Sequence, residues 1–158
     1  MRTLVIAVAL LGASALATAA SHRALQKAAN DDQMLVSAGV EPERAEVRTT
    51  CSAAVVDSDD RPNFFDCVYV QTPQTLNILS LEGGYLMSEL QLTLANMDGV
   101  ALQRLGKYSQ LQIFSGRKVA ALYIYNDAWI DSQQTEALYQ LLVDRGVKPR
   151  APRQWLGP

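Results

Sequence analysis

The fold is decided by the stretch SQLQIFSGRKVAALYIYNDAWIDSQQTEALYQLLVDRG, which runs from Ser109 to Gly146. Two runs of strand-forming residues flank Gly116-Arg117, and a two-residue loop with glycine first is typical of a tight β-hairpin. Such a loop sets the register of the two strands and places Phe114 opposite Val119. We therefore predict a hairpin with one aliphatic core face, made of Leu111, Ile113, Ala120, Leu122 and Ile124.

An amphipathic helix is predicted directly after this hairpin. Asp131 is a suitable N-cap, and Gln134, three residues later, can complete a capping box. Gly146 suits the left-handed position that follows a helix. The apolar stripe of the helix consists of Thr135, Leu138, Leu141 and Leu142. We expect this stripe to pack on the aliphatic face of the hairpin, where each buried leucine contributes about 1.5–3 kcal/mol.

The preceding part of the chain adds further strands. Residues 47–57, 64–72 and 75–81 are rich in β-branched and aromatic residues and are separated by turn formers. Residues 85–105 are ambiguous, because Met87, Leu90 and Leu94 recur at helical spacing while residues 89–94 alternate as in a strand. We favour strands there, joined by a hairpin turn at Asp98-Gly99.

These elements predict an α+β fold. It consists of an antiparallel β-sheet, a meander of hairpins with about five to seven strands, and one C-terminal amphipathic helix packed on one face. An N-terminal hydrophobic helix precedes this domain. Residues 21–46 are predicted as a helical stalk or linker, residues 47–147 as the α+β domain, and residues 148–158 as an extended Pro/Arg tail.

Residues 1–20 have the pattern of an export signal. Arg2 is followed by an uncharged segment, residues 3–20, that ends in small residues typical of a cleavage site. The alternative is an uncleaved membrane anchor, since the segment just reaches the length needed to span a bilayer. Both hypotheses place the domain outside the cytoplasm, either secreted or periplasmic, or held to the membrane by residues 3–20.

The two cysteines fit an oxidising compartment. Cys51 and Cys67 fall in neighbouring predicted strands, and a disulfide between them would close a loop of about 15 residues, which contributes about 3 kcal/mol. The alternative is a pair of buried free thiols.

The residues that could carry chemistry are few. The formal charge is −2, from 14 basic and 16 acidic residues, so no basic field exists for nucleic acid. His22, the single histidine, lies beside the leader, which leaves no Ser-His or Cys-His pair in the domain. Asp57, Asp59 and Asp60 form an acidic turn that could hold calcium, although a solvated turn is the favoured interpretation. We therefore expect no enzymatic activity, no cofactor and no metal.

The second face of the hairpin is the best candidate for binding. Phe114, Val119, Tyr123 and Tyr125 project from it, and an uncovered patch of this kind binds partners. The alternative is a covering layer from another part of the chain. We predict a non-enzymatic extracytoplasmic protein-binding domain, such as an accessory subunit, an inhibitor or an immunity-type protein, whose partner is another envelope or secreted protein. The alternatives are a small carboxylate-dependent envelope hydrolase and a membrane-anchored structural component.

Overall fold

The computed structural model describes residues 21–57, 61–127 and 129–154. Three helices are described: α1 covers residues 21–29, α2 Asp32–Ser37 and α3 Ser132–Asp144. The strands are β1 (Val47–Val56), β2 (Pro62–Gln71), β3 (Thr75–Glu82), β4 (Tyr85–Thr93), β5 (Gly99–Leu105), β6 (Tyr108–Ser115), β7 (Lys118–Asn126) and β8 (Trp129–Ile130). Short 3₁₀ turns occur at Pro42–Arg44 and Leu94–Asn96.

The strands form one antiparallel sheet in the order β4-β3-β2-β1-β7-β6-β5, with the short β8 paired to β7. Each of these neighbouring pairs is antiparallel. The sheet curls so that Leu90 of β4 and Val100 of β5, from its two opposite edges, share one core with Leu142 of α3. This architecture confirms the predicted α+β class, an antiparallel sheet with a C-terminal helix on one face.

The hairpin and its helix have the predicted register and caps. Phe114 pairs with Val119, and Gly116 adopts a φ of 58°, which glycine accommodates without steric cost. Asp131 caps α3 by accepting a hydrogen bond from the N–H of Gln134 at 2.9 Å. The aliphatic face is the inner face of the sheet, and its five members, Leu111, Ile113, Ala120, Leu122 and Ile124, are at most 1% exposed.

Residues 85–105 form strands, but the predicted Asp98-Gly99 hairpin is wrong. β4 and β5 lie at opposite ends of the strand order and do not pair with each other. Instead, the N–H of Asp98 donates to the carbonyl of Phe114, and the Asp98 carboxylate accepts from the N–H of Gly116. Gly99 therefore begins the pairing of β5 with β6, opposite Phe114, while the side chain of Asp98 binds to the β6–β7 turn.

The outer face of the sheet, opposite α3, is covered by the N-terminal segment. Residues 21–46 were predicted as a stalk or linker, whereas here they pack against the sheet. Leu25 and Leu35 join Val68 and Val70 in a second apolar cluster on this face. The predicted leader, residues 1–20, lies outside the described residues. Among the residues that are described, no helix has both the length and the apolar character needed to cross a membrane.

Candidate functional site

A groove of about 730 Å³ lies between the β5–β6 turn and the segment that joins β7 to α3. We call it the Trp129 groove. One wall is formed by Lys107 of the β5–β6 turn and Tyr108 at the start of β6, and the other by Tyr125 near the end of β7 and Trp129 and Ile130 of β8. Its volume falls within the range typical of ligand pockets, roughly 300–1,000 Å³.

The groove carries aromatic side chains that the fold leaves in solvent. Trp129 is 77% exposed and Tyr108 is 39% exposed. The Lys107 ammonium lies 5.1 Å from the centroid of the Tyr108 ring, a cation–π contact that orients this ring. Tryptophan is highly buried on average, so one exposed at this level is an unusual feature of a surface.

Local sequence explains why Trp129 points outward. A tight turn through Asp127, with a φ of 53°, folds β8 back on β7, so that Trp129 pairs with Asn126 and Ile130 with Tyr125. The N–H of Asp131 then donates to the carbonyl of Ile124 at 2.8 Å, which starts α3 at once. Trp129 therefore lies in a two-residue strand just before the helix cap, and its side chain does not reach the core.

Hydrogen bonds from α3 fix the two walls of the groove to each other. Ser132, the first residue of α3, accepts from the N–H of Ser109 at 2.9 Å and donates to the carbonyl of Lys107 at 3.1 Å. One turn later, Glu136 accepts from the Ser109 hydroxyl at 2.9 Å and forms an ion pair with Arg104 at 3.2 Å. These contacts make the groove largely preformed.

The electrostatics of the site follow from these bonds. The hydrogen bond from Arg104, followed by that from Ser109, lowers the pKa of the Glu136 carboxyl. Burial, with a smaller contribution from the charge of Asp66, raises the pKa of Tyr125. Tyr125 therefore remains a neutral phenol at ordinary pH, and Glu136 remains ionised.

The aromatic face predicted from the sequence is assembled on one side of the hairpin, but most of it is covered. Phe114 and Val119 are each only 7% exposed. The guanidinium of Arg150 lies 4.5 Å from the Phe114 ring centroid. Tyr125 packs against His22 of α1, with ring centroids 4.7 Å apart. The covering layer considered as the alternative is present, and a partner-binding role for this face stays a prediction.

Tyr123, the fourth residue of that face, is half-buried. Burial raises the pKa of its phenol, and a hydrogen bond with Gln110 acts in the opposite direction. Its hydroxyl is therefore engaged within the sheet as a neutral group.

Cys51 and Cys67 lie directly opposite each other in the β1–β2 register. Their Cα atoms are 4.8 Å apart, both side chains are fully buried, and the structure joins them as a disulfide. A thiol titration of the unfolded protein tests this bond.

The acidic turn gives no metal centre within the described residues. Asp57 is exposed at the end of β1, while Asp59 and Asp60 lie outside the described residues. No group of three or more His, Cys, Asp or Glu side chains suited to a metal ion occurs in the part of the chain that is described.

The Trp129 groove was not identified from the sequence. A usable signal was present, since Asn126-Asp127 is a turn-forming pair and Asp131 is a helix cap. A tryptophan in a two-residue strand between a turn and a helix cap is not part of a longer element that could bury it. Tyr108 gives no comparable signal, because only the register of β5 and β6 brings it to the groove.

Comparisons with known proteins identify the fold only. No family model matches this sequence, and no curated protein matches it either. Among solved structures, the activated truncation of Vav1 is 13% identical, with a TM-score of 0.51, and the match covers 79% of this chain and 32% of that one. The N-terminal PH domain of human ARAP2 is 6% identical, with a TM-score of 0.43, and the match covers 70% of this chain and 92% of that one.

A third neighbour is the DH/PH fragment of PDZ-RhoGEF, solved in complex with human RhoA. It is 10% identical, with a TM-score of 0.43, and the match covers 65% of this chain and 28% of that one. The chain spans about a third of the length of the Vav1 structures that it matches. At these identities the likeness shows a PH-like fold and nothing finer.

This comparison corrects the predicted function and location. The prediction of an exported or membrane-anchored protein, with a signal peptide and an envelope partner, is wrong, because the neighbours are PH-domain proteins of signalling pathways. The inhibitor, immunity-type and envelope-hydrolase hypotheses are wrong for the same reason. The expectation of a non-enzymatic chain agrees with the PH-like fold.

Proposed function

We propose that this chain is a non-catalytic binding module that recognises a protein partner through the Trp129 groove. The observation that carries the proposal is Trp129, 77% exposed beside a groove whose other wall holds Tyr108. Tryptophan and tyrosine are enriched among the few residues that dominate the binding energy of protein interfaces.

The charges around the groove favour a protein over an anionic membrane. Its lining includes one basic residue, Lys107, and two acidic ones, Asp127 and Asp131. The full chain carries a formal charge of −2. Anionic membranes attract clusters of basic residues at about 1 kcal/mol for each one, and the groove has no such cluster.

The preformed walls also favour tight recognition. The Ser132 hydroxyl holds the β5–β6 turn against the start of α3, so the groove needs little rearrangement before it binds. A preorganised surface loses less conformational entropy on association than a mobile one. We therefore expect a partner to insert an apolar side chain between Tyr108 and Trp129.

Site-specific photocrosslinking in the source cell tests this proposal. A photoreactive phenylalanine analogue replaces Lys107, an exposed residue of the groove, in one variant and Tyr85 in another, because Tyr85 is 71% exposed but lies on β4, outside the groove. We expect a discrete crosslinked protein at position 107, where Trp129 is still present, and none at position 85. The crosslinked partner, once purified, should bind the wild-type chain, and Trp129→Ala should weaken this binding by at least 2 kcal/mol, the level that defines a hot spot.

A matched control is Tyr85→Ala, which removes an equally exposed aromatic side chain and should leave the affinity unchanged. Equal crosslinking at both positions would refute the groove as the binding surface. So would an unchanged affinity of Trp129→Ala for the purified partner. Binding to anionic vesicles that disappears in Trp129→Ala would replace the protein partner with a lipid.

A further inference from the structure

The C-terminal tail is bound to the sheet by a short parallel strand interaction. β5 lies at the end of the strand order, so one of its edges is open to a further strand. The N–H of Val100 donates to the carbonyl of Lys148 at 2.9 Å, and the N–H of Arg150 donates to the carbonyl of Val100 at 2.8 Å. Val100 thus forms a parallel bridge with Pro149, whose ring has no N–H to lose.

A buried amide extends this recognition of the tail backbone. Gln112 is fully buried in β6, and its side chain reaches the main chain of Arg153. The amide nitrogen donates to the carbonyl of Arg153 at 2.8 Å, and the amide oxygen accepts from the N–H of Arg153 at 2.8 Å. This pair of bonds recognises an extended backbone, whatever the side chain at that position.

The edge also selects a side chain in the middle of the segment. The Arg150 guanidinium stacks over Phe114 at 4.5 Å. Gly99 makes this possible, because a Cβ at position 99 would lie 2.3 Å from the Arg150 Cδ and 2.9 Å from the Lys148 carbonyl oxygen. The surface therefore has a backbone ladder, an arginine position and a backbone clamp, in that order.

The described side chains of the tail lie outside the core. Val147 is buried, whereas every side chain from Lys148 to Gln154 is exposed. Gly146, with a φ of 91°, marks the point where the chain leaves α3. A segment without buried side chains can leave its site without opening the core.

We propose that the open edge of β5 is a binding site for an extended, arginine- and proline-containing peptide from another protein, which residues 148–153 occupy in cis. The edge recognises its ligand by β-strand addition, and the tail acts as an intramolecular competitor. This site is independent of the Trp129 groove, which lies at the opposite end of the β5–β6 hairpin.

The tail is covalently connected to α3, and the short connection determines how strongly the tail competes with an added peptide. A short tether holds its ligand at an effective concentration of about 1 mM, so an added peptide competes poorly with it. The wild-type chain should therefore bind the free peptide only weakly. A chain whose tail cannot form the ladder should bind it at least tenfold more tightly.

The experiment uses the full-length chain with the double substitution Arg150→Pro and Arg153→Pro. These changes remove the two main-chain donors and the stacked guanidinium, and both positions already follow a proline, Pro149 or Pro152. The probe is a fluorescent peptide with the sequence of residues 146–154, titrated by anisotropy. We expect saturable binding to the double variant and at least tenfold weaker binding to the wild type.

Hydrogen exchange at one amide locates the binding. The Val100 amide should be protected in the wild type, exchange faster in the double variant, and regain protection when peptide is added. The matched control is Ala151→Pro, which adds a proline to the same exposed segment without removing either donor and should behave as the wild type does. Adding Gly99→Val to the double variant should abolish peptide binding.

Three results would overturn the proposal: no peptide binding to the double variant, equal binding to the wild type and the double variant, or binding that leaves the exchange of the Val100 amide unchanged. None of these results depends on whether Trp129 contacts a partner. The two proposals can therefore fail separately.

Discussion

The inner and outer faces of the sheet are covered in different ways. α3 closes the inner face with apolar side chains, Leu138 and Leu142, which join Leu111 and Leu122 in one continuous core. The outer face is covered in patches by helices α1 and α2 and by the tail. Several of these covering contacts are polar or aromatic, such as Gln112 with Arg153 and His22 with Tyr125.

This difference indicates that the residues that stabilise the fold and the residues that bind partners lie in different parts of the molecule. An apolar core of interlocked side chains unfolds as a unit, whereas terminal segments held by a few contacts open locally. The inner face therefore sustains the fold. The exposed groove and the exchangeable tail lie at the periphery, where a partner can bind without disturbing the core.

The largest expected effect comes from breaking the inner face. Leu142 is fully buried in α3, and Leu142→Ala removes its packing and leaves a cavity. We expect a loss of about 2–5 kcal/mol in the free energy of unfolding, measured in urea. Gln133→Ala, on the exposed side of the same helix, should change it by less than about 0.5 kcal/mol. Equal losses in the two variants would contradict a core formed by this helix.

The next effect concerns the cysteine pair of the inner face. A disulfide between Cys51 and Cys67 closes the β1–β2 loop, so reduction should lower the free energy of unfolding by about 3 kcal/mol. Denaturant unfolding with and without reductant measures this loss. The double variant Cys51→Ala and Cys67→Ala should be insensitive to reductant. Two free thiols, titrated in the unfolded protein without reductant, would refute the bond.

A smaller and local effect is expected on the outer face. Leu35 is fully buried in α2, yet it anchors only the N-terminal cover. Leu35→Ala should lower the local stability of residues 21–46 by about 2 kcal/mol, while the amides of β6 and β7 keep their protection from hydrogen exchange. Val36→Ala, at a position 60% exposed, is the control. Loss of protection throughout the sheet would mean that the two faces unfold together.

The smallest effect is pH dependence at Glu136, which ties α3 to the β5–β6 hairpin. Arg104 and Ser109 lower the pKa of this carboxyl below its usual value of 4.5. Its stabilising contribution is therefore present above that value and is lost as the pH falls through the lowered pKa. We expect the melting temperature of the wild type to exceed that of Glu136→Gln at about pH 6 and the difference to shrink by about pH 3. A constant difference would contradict this role.

The sequence was informative where several adjacent residues favoured the same local structure. The turn at Gly116 and the cap at Asp131 are set by a few adjacent residues, and both were predicted correctly. The Asp98-Gly99 turn was not, because the same dipeptide can close its own hairpin or support a turn elsewhere. The side chain of Asp98 bonds to Gly116, a residue far along the chain, and no local pattern specifies this choice.

The candidate sites were less predictable for the same reason. Alternation correctly placed Phe114 and Val119 on one face, but it could not show that Arg150 would cover Phe114. Composition also gave residues 1–20 the pattern of an export signal, and the PH-like fold then contradicted the predicted location. Exposure depends on which distant segment arrives, and a single-sequence pattern contains no information on that arrival.

The sequence alone determined the periodicities, the Gly116 turn and the caps of α3, because backbone dihedral preferences and local hydrogen bonds act over a few residues. Only the tertiary structure decided which aromatic residues remain exposed to solvent and which sheet edge the tail occupies. It also decided that Asp98-Gly99 lies at the start of β5 and does not form a hairpin turn. Those outcomes depend on long-range packing, in which a segment covers a surface only if the contacts it gains there outweigh the entropy it loses on being ordered.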